Sequence, residues 1–400
     1  MSHRWAFGFR TAALLTLLPG LGAHGQAAAP SKPQPSYAGL LVTCAEFREG
    51  TWGIYTLDDK GQLQLVVRGG MWPHYAPDRR SFMFVRAGNL WLHRMDTGAN
   101  LASPFEKHMC ACRGDLSWRP DGRAVCFIWT DAWEIALIHP LRVLDMRVEA
   151  FGSDRAAFDF SRSVSTDGDD HGFPAVSRSG TLAFCALRRH SDVGISRSHV
   201  LVQQPPGGRQ RYLRITDWPD TMVETKPCWS PDGKNLAFEA LDLTTSVRQV
   251  WNYDVESRKL QRVLERIPGA ESEPLLTDTW LYGWQPNGTG LLLGYGQAGR
   301  IVPAVSGLVV SRGDGSTLVV PHQGGNSNIW DAAWSPDGQR VAYILGDYAE
   351  PAGANAVLNH SIHILHLDDP ERWDEANHTP YDVTHDPGHR SALTPVSLEW

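Results

Sequence analysis

The amino-acid sequence predicts an all-β fold: a seven-bladed β-propeller closed by its C-terminal strand, with six blades as the alternative count. Three observations predict it. A short aromatic-x-Pro-Asp-Gly turn recurs along the chain. The residues on both sides of each turn alternate apolar and polar, as half-buried strands do. The two ends of the repeat region are incomplete in complementary ways.

The turns come first. Trp118-Arg-Pro-Asp-Gly122, Trp229-Ser-Pro-Asp-Gly233, Trp284-Gln-Pro-Asn-Gly288 and Trp334-Ser-Pro-Asp-Gly338 are clear copies. Tyr75-Ala-Pro-Asp-Arg79 and Val176-Ser-Arg-Ser-Gly180 are degraded ones. With Trp400 as a seventh start, the intervals are 43, 58, 53, 55, 50 and 66 residues. Pro fixes φ at the first central position, Asp bonds local backbone, and Gly accepts a left-handed conformation, so the motif predicts a hairpin turn. A second apolar-aromatic strand ending in an acid follows several turns, as in Asn252-Tyr-Asp-Val-Glu256 and Ile364-Leu-His-Leu-Asp368, and a short fourth strand comes after. Four strands per 40 to 60 residues is the size of a propeller blade.

The ends supply the count. The repeat region opens at Leu40-Leu-Val-Thr-Cys44, which matches a second strand, and finishes at Val396-Ser-Leu-Glu-Trp400, which matches a first strand with no hairpin after it. Pairing the last strand with the opening one makes seven units and removes two sheet edges. The recurring Trp side chains are expected to pack between blades.

Ahead of the repeats, residues 1–25 have the form of a secretory signal peptide: Arg4 and Arg10, a short apolar run from Thr11 to Leu18, and small residues at Ala23 and Gly25. Residues 26–36 are expected to be a flexible linker and 37–400 the propeller. No apolar run of the mature chain is long enough to span a membrane. The formal charge of −7 becomes −9 once Arg4 and Arg10 leave with the signal, which argues against a nucleic-acid partner. Six Cys in 400 residues do not make a disulfide scaffold. Cys126 and Cys185 lie in strand patterns and are expected to pack as small hydrophobes, while Cys110-Ala-Cys112 is too short a motif to define a metal site.

The repeats resemble those of TolB-like proteins, within the wider WD40-like group. The resemblance covers residues 37–400. It implies the propeller fold and says little about activity; the periplasmic or secreted setting is what the signal-like residues 1–25 predict. TolB proteins also carry an α/β domain before a six-bladed propeller. Here about a dozen residues separate the signal from the first strand, so a TolB role does not transfer whole.

Candidate site residues follow from strand alternation. Residues three and five before each turn aromatic are expected to share the channel face of the innermost strand. The charged ones are Arg113, Asp115, His171, Glu224, Lys226 and Asp331, expected to form a ligand-binding set at one channel mouth. Catalytic signatures are missing: there is no G-x-S-x-G, no P-loop, no H-E-x-x-H and no dinucleotide fingerprint. Oligogalacturonide lyases with propeller folds place His just before several such turns. Here only His74 stands there, against Ser117, Ala175, Cys228, Gly283, Ala333 and Glu399. His360, His363 and His366 fall on a predicted strand, where residues three apart point to opposite faces and cannot share a metal. No catalytic residue, cofactor or metal is therefore expected. The sequence-level function is an exported, non-catalytic propeller that binds a protein or peptide partner, with a carbohydrate-active lyase or hydrolase as the alternative.

Overall fold

The computed structural model describes residues 38–46, 51–58, 61–102, 116–122, 124–129, 142–147, 170–190, 194–203, 212–219, 221–265, 277–297, 305–320, 327–347, 360–367, 381–382 and 393–400. The expected signal peptide, the whole of the expected linker, Cys110 and Cys112 lie outside them. The described residues contain strands and turns only.

The strands form antiparallel meanders. The first sheet joins β1 (Leu41–Glu46), β2 (Thr51–Leu57) and β3 (Leu63–Arg68) to β27 (Leu393–Glu399), in the order β27-β1-β2-β3. The second contains β4 (Gly70–Tyr75), β5 (Ser81–Arg86), β6 (Asn89–Arg94) and β7 (Asn100–Ala102). The third has three described strands, β8 (Leu116–Trp118), β9 (Ala124–Trp129) and β10 (Arg142–Arg147). The fourth is β11 (Asp170–Val176), β12 (Leu182–His190), β13 (Gly194–Gln203) and β14 (Tyr212–Arg214). The fifth is β15 (Met222–Trp229), β16 (Asn235–Asp242), β17 (Val247–Asp254) and β18 (Leu260–Arg262).

The sixth sheet has eight strands: β19 (Thr277–Trp284), β20 (Gly290–Gln297), β21 (Val305–Arg312), β22 (Thr317–Val320), β23 (Ser327–Trp334), β24 (Arg340–Asp347), β25 (His360–His366) and β26 (Tyr381–Asp382). The described strands therefore form six sheets, where seven separate ones were expected. The reason is local. One residue pair, Val305 with Ile329, links β21 to β23 and merges two four-stranded meanders into one hydrogen-bonded sheet.

Each Pro-containing turn folds as its residues dictate. The residue before Pro accepts the N–H of the residue three later: Ser230 from Gly233 at 2.8 Å, Gln285 from Gly288 at 2.8 Å, and Ser335 from Gly338 at 2.8 Å. The closing Gly is left-handed, with φ of 73° at Gly233 and 68° at Gly338. Arg79 takes the same conformation in the degraded copy, φ 58°, and its guanidinium stacks over the Tyr75 ring at 4.0 Å. Asp232 accepts the Ser230 hydroxyl at 2.6 Å and the Lys234 N–H at 3.0 Å, and these bonds hold its carboxyl below the usual aspartate range.

The core is divided among the interfaces between meanders. Leu41, Ile54 and Val67 pack against Phe82 and Phe84, joining the first sheet to the second. Met83, Leu90, Leu116 and Phe127 join the second to the third. Cys185, Val200, Phe238 and Tyr253 join the fourth to the fifth. Val42, Leu398 and Trp400 pack against Ala342, Ile344, Ile362 and Ile364, so the first sheet also meets β24 and β25. Cys126 and Cys185 are buried in these layers, as their strand patterns predict.

Candidate functional site

The innermost strands do not alternate cleanly. Register shifts interrupt the pairing between Met71 and His74, Gly172 and Ala175, Thr225 and Cys228, Leu281 and Gly283, and Ile329 and Asp331. These are β-bulges at one recurring place, beside the third residue before the turn aromatic. Trp72, Phe173 and Lys226 occupy that place in three repeats and all have positive φ, at 51°, 54° and 49°. A bulky residue held in the left-handed region costs about 1–3 kcal/mol, so surrounding structure must enforce it.

A contact that holds the bulge is visible in two repeats, one of them that of the strained Trp72. The Trp72 N–H donates to Thr43 Oγ1 at 3.1 Å. The Leu281 N–H, at the equivalent place, donates to Glu239 Oε1 at 2.8 Å. Thr43 and Glu239 both lie on the second strand of the preceding meander, and both are buried. In these two repeats the bulge presents a backbone N–H that a neighbouring side chain captures.

Two of the strained residues, Trp72 and Lys226, line a cavity of about 500 Å³ on the inner strands. Trp280, Tyr282, Trp330 and Asp331 line it too, along with Ser397 and Glu399. Around Lys226 the charges form a network. Its Nζ lies 3.1 Å from Glu239 Oε1, while Arg248 Nη1 lies 3.9 Å from Glu239 Oε2. Trp280 is 5% exposed and sits under Arg248, whose guanidinium lies 5.9 Å from its ring centroid. The Trp330 ring packs on His360 at 4.7 Å.

The expected site residues separate in the structure. Lys226 and Asp331 meet at the cavity. Glu224, two residues before Lys226, is fully buried and does not line it, because the bulge breaks the alternation that would have put both on one face. Asp331 is likewise fully buried, and its Oδ2 accepts the Leu398 N–H at 2.6 Å, so it also ties β27 to β23. His171 lies on β11 opposite Ala186. Arg113 and Asp115 lie outside the described residues. Of the six expected residues, Lys226 and Asp331 line the cavity, alongside Trp72, Trp280, Tyr282 and Trp330.

Sequence reasoning missed Trp280, Trp330 and Glu239. The two Trp carried a signal: each stands four residues before a turn Trp, in Trp280-Leu-Tyr-Gly-Trp284 and Trp330-Asp-Ala-Ala-Trp334. Glu239 carried none. His360, His363 and His366 do lie on one strand, β25, and no group of three metal-binding side chains occurs among the described residues.

Solved structures place this architecture. An oligogalacturonate lyase in complex with manganese is similar with a TM-score of 0.54 at 15% identity, over 76% of this chain and 82% of that one. The β-propeller domain of the Trilobed protease from Pyrococcus furiosus is similar with a TM-score of 0.52 at 11% identity, over 84% of this chain and 95% of that domain. The fold is a β-propeller. TolB from Acinetobacter baumannii is also similar, with a TM-score of 0.43 at 14% identity over 84% of this chain and 62% of that one. No protein-family description matches the sequence and no curated protein matches it. Among the described residues of this propeller, no helix is long and apolar enough to cross a membrane.

Proposed function

We propose that this chain is an exported, non-catalytic propeller of the TolB-like repeat type that binds a protein or peptide partner through the inner-strand cavity. The observation that carries the reading is the coincidence of strain and cavity. Trp72 and Lys226 are held at positive φ in different repeats, and both form the wall of one concave site. Backbone strain retained at matching positions of a binding cavity is what a preorganised site requires. Its aromatic wall, with Lys226 as a cation and Asp331 as a buried carboxylate, suits a peptide. Trp and Tyr supply contact area at low entropic cost, and the charges fix orientation. Export rests on the signal-like residues 1–25, and the repeat type on the recurring turns.

The test is cross-linking of residues 26–400 in extract of the native host, with the wild type compared against Trp72→Ala and Trp330→Ala. The expected result is a protein cross-linked through cavity residues by the wild type and lost from both variants, with thermal unfolding of the variants cooperative. Recovery undiminished in both variants would move the partner off the cavity. Depolymerisation of an acidic or neutral glycan by the purified wild type would replace this reading with the carbohydrate-active one.

A further inference from the structure

A second cavity, of about 560 Å³, lies away from the inner strands, between the fifth sheet and the β19–β22 meander. That volume falls within the roughly 300–1,000 Å³ of small-molecule sites. Its charged lining is Arg262, Arg312 and Glu265, a net charge of +1. Trp284 and Leu291 give it an apolar wall. Ser311 and Asn252 add polar groups.

Arg262 is the unusual member. Its Nε is sealed from solvent and has no hydrogen-bond partner, and no carboxylate stands within 4 Å of its guanidinium among the described residues. Burial lowers its pKa, while the charge of Glu265 opposes that from a greater distance. Asn252 Oδ1, a second lining group, is also buried without a partner, although its Nδ2 donates to Asn235 at 3.1 Å. Native proteins leave few buried polar atoms unsatisfied, and both of these belong to residues that line the cavity. A partly desolvated guanidinium without a counter-ion is costly, and an anion in the cavity removes that cost.

We propose that this groove binds an organic monocarboxylate, with the carboxylate on Arg262 and Arg312 and the body of the molecule against Trp284 and Leu291. The lining selects the charge: a net +1 neutralises one carboxylate, whereas a phosphate dianion would leave an excess negative charge beside Glu265. The planar fork of Arg suits a carboxylate, and the wall rewards a ligand that carries apolar or ring surface. This site is independent of the cavity on the inner strands.

The experiment is calorimetric titration of the full chain with benzoate, acetate and inorganic phosphate at matched ionic strength. Benzoate is expected to bind most tightly, acetate more weakly because it lacks a body, and phosphate least. Arg262→Met should weaken benzoate about 10- to 100-fold, the loss of one charge-assisted bond. Arg312 is exposed, so Arg312→Ala keeps the fold and provides a second reading with a loss of the same sign. Absence of saturable carboxylate binding overturns the proposal. Benzoate binding unchanged in Arg312→Ala, or phosphate binding tighter than either carboxylate, overturns it as well.

Discussion

The indole N–H of Trp229 donates to the carbonyl of Ala175, 54 residues earlier, at 3.1 Å. Ala175 immediately precedes the turn position of the previous repeat. The same bond recurs from Trp118 to His74 at 3.0 Å, from Trp284 to Cys228 at 3.0 Å and from Trp334 to Gly283 at 3.3 Å. Trp400 makes its bond to Ala38 at 3.0 Å. The recurring Trp is therefore a latch as well as a packing unit. Its ring fills an interface, and its single donor closes on a backbone carbonyl distant in the chain.

Two variants separate those contributions. Trp229→Ala removes both and should destabilise the propeller by about 3 kcal/mol, the lower end for a buried aromatic because Trp229 is only partly buried. Trp229→Phe keeps most of the packing and loses the latch, at a cost of about 1 kcal/mol. Urea unfolding of both gives the comparison. Equal losses would make the hydrogen bond the whole of the effect, and no loss in Trp229→Phe would reduce the latch to a geometric coincidence.

The closing glycines of the turns have equal backbone strain but unequal surroundings. A Cβ on Gly233 would meet Ser177 Cβ at 3.8 Å, an ordinary contact. A Cβ on Gly338 would meet Gln285 Cγ at 3.2 Å and Pro286 Cδ at 3.3 Å, in the turn of the preceding repeat. Gly233→Ala should therefore cost only the left-handed penalty, about 1–2 kcal/mol. Gly338→Ala should cost more, by roughly another 1 kcal/mol of crowding. Midpoints from chemical denaturation rank the two. The reverse order would show that the turns do not pack on one another as described.

What the sequence made legible is what repeats. The turns, the latch Trp and the strand pattern recur often enough to rise above chance, and each is local. Cys126 and Cys185 were readable because burial of a small thiol is a strand-pattern property. The site was harder. Glu224 and Lys226 are two apart, and alternation puts such residues on one face; the bulge between Thr225 and Cys228 does not announce itself in residue types. Glu239 is less visible still. It serves Leu281, 42 positions on, through a contact that exists only once two meanders have docked. The six-sheet count likewise turns on one pair, Val305 with Ile329, which no periodicity encodes.

Asp278 carries a pH signature. It is 5% exposed, and burial pushes its carboxyl above the ordinary aspartate range against the lowering effects of the Arg248 N–H and guanidinium, with Glu239 raising it further. Its Oδ1 accepts the Arg248 N–H at 2.7 Å. A folded pKa above the unfolded one means the folded state holds the proton more tightly. This group's contribution to stability is present at low pH and is lost as pH rises from the unfolded aspartate range through the raised folded value. Asp278→Asn keeps an acceptor for Arg248 and removes the titration. Urea midpoints of variant and wild type should be close below pH 4, with the variant the more stable at pH 7. A variant less stable at pH 7 would mean that the Arg248 charge, not burial, dominates at this position.

Glu239 is the residue on which the inner wall depends most. Its carboxylate is almost fully buried and serves three donors, the Leu281 N–H at 2.8 Å, Lys226 Nζ at 3.1 Å and Thr225 Oγ1 at 3.4 Å, with Arg248 close by. Glu239→Leu leaves a buried backbone N–H and two cations without their anion, so it should cost about 3–5 kcal/mol. Glu239→Gln keeps an acceptor for Leu281 and gives up the charge. Lys226 is nearly half exposed, so that part is worth about 1 kcal/mol or less. Lys226→Met should accordingly be mild, and a double-mutant cycle with Glu239→Gln should show coupling below about 1 kcal/mol. If Glu239→Gln proved as damaging as Glu239→Leu, the ion pairs rather than the captured N–H would hold the bulge. Raised salt would then destabilise the wild type more than Glu239→Gln.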